Sequence, residues 1–211
     1  MRKNGSWLIY PLFFIALMWA LHTLTKNFMT DPEFSKFLMY KTIGDGFNQE
    51  LWTVLIRVHI ILAVTAILAG PLGFVKKIRV KRPALHRMIG KVYIGSILLN
   101  VLPALYVALH ATGGLIATVG FFLLTAVWLY ATVKAYTTIR KRQVEAHRRW
   151  MIRSYAVTLA NNTLYVVNLV LDKAFGLEYV PAYVIAVWSC WMINLFVAEG
   201  YLRLRRNGQA A

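Results

Sequence analysis

The 211-residue chain holds a single cysteine, Cys190, so neither an intramolecular disulfide framework nor a multi-cysteine zinc or iron–sulfur site can form. Acids are scarce as well. Asp and Glu number 8 against 24 Lys and Arg, a formal net charge of +16. Charged residues make up 15% of the chain, where soluble domains carry about a quarter, too few for a water-facing surface. A hydrophobic share of 59% excludes disorder. Nucleic acid is excluded as a partner too, because the cations lie between apolar runs and do not form one soluble basic face. No phosphate-cradling glycine loop, nucleophile elbow, HExxH or paired CxxC occurs, which removes the standard hydrolase and ATPase machinery.

What the chain does contain is six apolar runs, over residues 7–25, 51–75, 88–110, 115–139, 150–171 and 180–202. Each is close to the ~20 residues that cross a bilayer core of about 30 Å as helix. None alternates with the two-residue period of barrel strands. The fold expected is an all-α polytopic membrane protein of six transmembrane helices in one integral membrane domain, with the second to fifth forming a central four-helix bundle. Arg2 and Lys3 before the first run resemble a signal peptide, but the run starting at Trp7 is too long and no small-residue cleavage motif follows, so it is expected to be retained.

Loop charge sets the orientation. Residues 76–91 carry seven cations and no acid: Lys76, Lys77, Arg79, Lys81, Arg82, Arg87 and Lys91. Residues 140–149 set Arg140, Lys141, Arg142, Arg148 and Arg149 against Glu145, and Arg203, Arg205 and Arg206 follow the last run. The alternate connections are neutral or acidic: residues 26–50 balance three lysines against four acids, and residues 110–114 have no Lys or Arg. Both termini are therefore expected in the cytoplasm, with the lipid bilayer as first partner. Aromatics at Phe28, Phe34, Phe37, Tyr40 and Phe47 make the 26–50 connection either a short surface helix or a tether. Trp7, Trp52 and Trp150 fall at the membrane interfaces, as an aromatic belt requires.

Polar groups at membrane depth are costly and usually face the bundle interior. On the fifth run His147, Ser154, Asn161 and Asn168 recur every seven residues, with Met151, Thr158, Tyr165 and Asp172 at the half-steps, which predicts one polar stripe. The third run repeats the pattern with His86, Tyr93 and Asn100. Asn100 and Asn161 each lie fourteen residues beyond a histidine, about 21 Å along a helix. The shared 61-residue offset also fits a repeated hairpin. His59 enters from the outer side, eight residues into its run, at a depth of roughly 12 Å. A mid-membrane cluster of His59, Asn100 and Asn161 follows, which Asn194 and Cys190 of the sixth run can join. Arg57 is expected to snorkel outward.

Two imidazoles at one depth on parallel helices, His86 and His147, are what axial ligation of haem b requires, and Arg87, Arg148, Arg149 and Arg153 lie at the level of its propionates. A metal ion held by His86, His147 and His59 is the related reading. The alternative is that His86 and His147 bond loop carbonyls and lipid phosphates at the interface. His59 has three readings as ligand, proton relay or quinone contact, and a fourth as a structural partner of an asparagine. His22 and His110 lie at solvated ends.

The segments Gly70-Pro71-Leu72-Gly73-Phe74, Leu85-His86-Arg87-Met88-Ile89-Gly90-Lys91-Val92-Tyr93 and His147-Arg148-Arg149-Trp150-Met151-Ile152-Arg153-Ser154-Tyr155-Ala156 resemble a bacterial family of predicted membrane proteins with no assigned function. Trp191-Met192-Ile193-Asn194 and Glu199 are similar to that family's last helix, and the resemblance runs over about 51–201. It implies His59, His86 and His147 as the recurring polar set. Where it leads one to expect an arginine after Thr163-Leu164, this chain has Tyr165. Six-helix, histidine-bearing bundles are also similar, at fold level, to dihaem transmembrane cytochromes b. The functional expectation is haem- or metal-dependent electron transfer or quinone-linked redox. Cofactor binding would fall to His86, His147, His59, Arg87, Arg148, Tyr93, Asn100 and Asn161, and the partner would be a quinone or an electron-transfer protein. A transporter or small-molecule binder using the fifth-helix stripe, and an assembly subunit without cofactor, are the alternatives.

Overall fold

A computed structural model describes residues 9–41 and 46–210; Arg2, Lys3 and Trp7 lie outside the described residues. Among the described residues there is no strand. The helices are α1 (Ile9–Leu24), α2 (Ser35–Leu38), α3 (Gln49–Phe74), α4 (Lys76–Lys81), α5 (Pro83–Leu109), α6 (Gly114–Arg140), α7 (Val144–Thr158), α8 (Ala160–Phe175) and α9 (Tyr179–Ala210), with a π-helical turn over Thr25–Thr30. Among the described residues five helical stretches are long and apolar enough to cross a membrane: Ile9–Thr30, Gln49–Phe74, Pro83–Leu109, Gly114–Arg140 and Tyr179–Asn207.

The fifth expected run differs. It is divided between α7, of 15 residues, and α8, of 16, neither of which spans alone. The division is one residue wide. Leu159 has φ −83° and ψ 4°, well short of the helical ψ near −42°. Its N–H is shared between the Tyr155 and Ala156 carbonyls, each at 3.2 Å. The third expected run also starts earlier than its hydropathy suggests. Pro83, whose fixed φ suits a first helical position, opens α5 and brings His86 and Arg87 into its first turns.

The chain divides into two compact units, residues 1–39 with 49–103, and residues 40–48 with 104–211. In the first, α1 packs on α3. The buried positions Trp52, Ile56, Ile60, Val64 and Ile67 follow helical spacing along one face of α3, while Leu51, Val54, Val58 and Ile61 are exposed and suit lipid. The connection after the π-helical turn folds back on the helix. Asp31 caps α2 by accepting from the Ser35 N–H at 2.8 Å and the Lys36 N–H at 3.1 Å. That cap delivers Phe34, fully buried, edge-on to Trp52 with centroids 5.7 Å apart, and Phe37 at 5.8 Å. Trp52 is therefore enclosed by its own unit and does not stand in an exposed belt. Arg57 reaches the same connection, where its Nη2 donates to the Pro32 carbonyl at 2.9 Å in an exposed bond.

In the second unit α6, α7 and α9 pack pairwise and α8 lies on α9. The sixth run is thus as central to this unit as the fourth and fifth. Glycine permits the approach of α6 to α9. Gly113 sits at φ +90°, and a Cβ there would meet Val184 Cγ2 at 2.3 Å; one on Gly120 would meet Val187 Cγ1 at 2.8 Å and Trp188 Nε1 at 3.1 Å. Small residues at such crossings let membrane helices gain dispersion contacts that lipid cannot replace. Gly120→Val should lower the unfolding temperature in detergent, with overpacking costing about 1–3 kcal/mol. Gly95→Ala, with nothing within 4 Å of the added methyl, should be neutral or stabilising. Equal stability of Gly120→Val and wild type would disprove the close approach.

Candidate functional site

In the first unit the polar residues meet where their depths predict. His59 on α3 and Asn100 on α5 are joined by a hydrogen bond of 2.9 Å between Nδ1 and Oδ1. The Asn100 amide nitrogen points to the His59 backbone carbonyl at 3.4 Å. A carbonyl can only accept, so the second contact fixes which end of the amide is nitrogen, and the first then requires Nδ1 of His59 to donate. The proton is therefore on Nδ1, and Nε2 carries the lone pair. Asn100 is fully buried, as is Tyr93 seven residues before it. His86, on the same face, is half-buried, whereas Arg87 is exposed. Fourteen residues separate His86 from Asn100 on one continuous helix, so His86 lies about 21 Å from the His59 level. These two histidines cannot share one metal ion.

In the second unit the first half of the expected stripe turns toward α6. His147 Nδ1 donates to the Ala135 carbonyl at 2.8 Å, which again leaves the lone pair on Nε2. Ser154 and Thr132 hydroxyls bond at 2.8 Å, and Trp128 Nε1 donates to Thr158 Oγ1 at 2.9 Å. Beyond Leu159 the stripe loses this register. Asn161 and Tyr165 are exposed, and the Oδ1 atoms of Asn162 and Asn168 are buried with no hydrogen bond among the described residues. An unbroken stripe facing inward, as the seven-residue spacing suggested, is not what forms: the off-helical ψ at Leu159 rotates α8 relative to α7.

Asn194 of α9 clamps that break. Its amide nitrogen donates to the Ala156 carbonyl at 2.9 Å, before the break, and its oxygen accepts from Thr163 Oγ1 at 2.7 Å, after it. One turn and a half further along α9, Glu199 takes Arg153 in a two-point ion pair, at 2.5 Å from Nε and 3.1 Å from Nη2. The guanidinium also lies over the Trp150 ring, 4.7 Å from its centroid. Arg153 is therefore engaged within the protein, not held ready for a cofactor's acids. Arg148 is 3.7 Å from Glu145 on its own helix, a solvated pair of small worth. The Thr132, Trp128 and Thr163 contributions had no sequence signal, since a single hydroxyl or indole in an apolar run reads as packing.

A second polar group in this unit joins the 40–48 segment to the end of α5. Lys41 Nζ donates to the His110 carbonyl, while Phe47 and Tyr106 stand edge-on to the His110 ring at 5.0 and 5.2 Å. Burial pushes the Lys41 ammonium down to about 8. The His110 imidazole is held below its ordinary value, first by burial and then by the Lys41 charge. Because folding lowers the lysine's pKa, charged Lys41 opposes folding below about pH 8, and that opposition fades as pH rises toward 10.5. Acylation of Lys41 by an amine-directed reagent should reach half its maximal rate near pH 8. A Lys41 profile centred near the free-lysine value of 10.5 would remove the buried-amine assignment.

Among the described residues no three His, Cys, Asp or Glu side chains form a set able to hold a metal ion. Each of His59 and His147 has its Nδ1–H held by a carbonyl oxygen, which fixes the tautomer of the ring. The chain belongs to the family described as Predicted membrane protein (DUF2306), which matches residues 56–202 and so takes in His59, His86, Asn100, His147, Asn194 and Glu199. No curated protein and no solved structure matches the chain.

Proposed function

We propose that this member of the DUF2306 family is a redox protein of the bacterial inner membrane, in which His59 serves as the ligating or proton-accepting imidazole for haem b or a quinone. The observation that carries the reading is the Asn100 amide, which holds the ring by Nδ1 at membrane depth and leaves Nε2 basic. A structural histidine needs only one satisfied nitrogen; an imidazole fixed in one tautomer and orientation is the form that ligates iron or takes a proton from a quinol hydroxyl. Bound haem would supply a reversible one-electron couple. The protein's own part is to orient the ring, exclude water and hold the proton on Nδ1. His147, fixed in the same tautomer by Ala135, and His86 are further candidate ligands, with Arg87 and Arg148 as candidate partners for acidic groups. The proposal includes six spans, α7 and α8 together making the fifth, and both termini in the cytoplasm, supported by the cations at 76–91, 140–149 and 203–206.

A second reading, an assembly or scaffold subunit without cofactor, is supported by the Ser154–Thr132 and Thr158–Trp128 bonds, which use the polar side chains of α7 as interhelical ties. The same bonds weigh against a water-filled transport path along α7.

The test is the absorption spectrum and extractable quinone of protein purified from haem- and quinone-replete cells. The redox reading expects a Soret band or bound quinone that is lost in His59→Ala. In Asn100→Leu the affinity should fall about 10–100-fold, as for other residues that orient a ligating histidine. His86→Ala and His147→Ala then identify which other imidazoles contribute. Protein that purifies with neither haem nor quinone, and tolerates all three histidine changes, would contradict the redox reading and favour the scaffold one.

A further inference from the structure

We infer that α4 and the first turns of α5 form a docking site for anionic phospholipid headgroups. The position follows from connectivity. Only Val75 separates α3 from α4 and only Arg82 separates α4 from α5, so a six-residue helix is held where one apolar helix ends and the next begins. Its backbone bonding is nearly continuous, with the Arg79 N–H on the Val75 carbonyl at 3.1 Å and the His86 N–H on the Arg82 carbonyl at 3.0 Å. The cations are thus presented on ordered backbone at the membrane surface.

Their surroundings identify the ligand. Lys76, Lys77, Arg79, Lys81 and Arg82 are all exposed, as are Arg87 and Lys91 on α5. None of the seven makes an ion pair or side-chain hydrogen bond among the described residues, and residues 76–91 contain no acid to neutralise them. The basic 140–153 segment differs in carrying an acid and in being partly neutralised: Arg148 lies beside Glu145 and Arg153 is bound by Glu199, while Arg140, Lys141, Arg142 and Arg149 stay exposed. Apolar side chains are interleaved with the free cations: Val80 is 65% exposed and Met88 57%. Cations at phosphate level with aliphatic groups beside them match an anionic lipid, whose headgroup and chains present the same two chemistries in the same order. Lipids with two phosphates, such as cardiolipin, fit the number of unpaired charges best. Topology alone needs an excess of cations on one side, and seven unneutralised ones within sixteen residues exceed that need.

The experiment uses the full chain in detergent, stripped of lipid and titrated with cardiolipin or phosphatidylcholine, with bound lipid counted by native mass spectrometry. Wild type should retain cardiolipin in preference to phosphatidylcholine. The triple variant Lys76→Gln, Lys77→Gln, Arg79→Gln should lose at least about tenfold in cardiolipin affinity, with phosphatidylcholine unaffected. Lys91→Gln, on a different helix, should weaken cardiolipin independently. Equal retention of the two lipids by wild type would overturn the proposal. So would unchanged cardiolipin binding in both variants, or a preference for an RNA oligonucleotide over cardiolipin. None of these results bears on the His59 reading.

Discussion

Inside a bilayer a polar group has no water to fall back on, so each one buried at depth needs a partner within the protein. Most of the described polar contacts follow from that constraint, the buried Asn162 and Asn168 oxygens excepted. His59 is answered by Asn100, His147 by the Ala135 carbonyl, Ser154 by Thr132 and Thr158 by Trp128. Where the fifth run departs from helical geometry at Leu159, Asn194 bonds to both sides of the break, to the Ala156 carbonyl and the Thr163 hydroxyl. The polar side chains act as register pins, because apolar surfaces sliding in lipid have no hydrophobic preference for one register over another.

The same constraint separates the histidines by role. An imidazole tied through Nδ1 to an acceptor is satisfied on one side and carries its lone pair on Nε2. His59 and His147 share this state. His110 does not: its ring lies among Phe47 and Tyr106, and its backbone carbonyl is what Lys41 uses. The arginines divide in a similar way. Arg153 is bound by Glu199 and Arg57 by Pro32, whereas the cations of α4 stand unpaired.

Much of this was legible in the sequence, because membrane spans obey a length rule and polar residues within them are rare enough to count. The five long helices fall within a few residues of the apolar runs that predict them, and the family the sequence resembles is the one whose model matches residues 56–202. The His59–Asn100 pair follows from depth arithmetic on two helices that run in opposite directions. The break at Leu159 has no such signal: no proline or glycine marks it, and the bonds that span it come from Asn194, more than thirty residues later. The stripe periodicity consequently overstated how far one face of the fifth run could stay inward, and Asn161 lies exposed. Trp52 was misplaced for a related reason, since the Asp31 cap that folds the connection after the π-helical turn onto α3 is a tertiary event.

Whether Asn100 sets the chemistry of His59 can be read directly from nitrogen NMR of the full protein labelled at histidine, in lipid bicelles at neutral pH. The account predicts a neutral His59 ring protonated at Nδ1, with the other tautomer emerging when Asn100 is replaced by leucine. A wild-type ring protonated at Nε2, or carrying both protons, would contradict it.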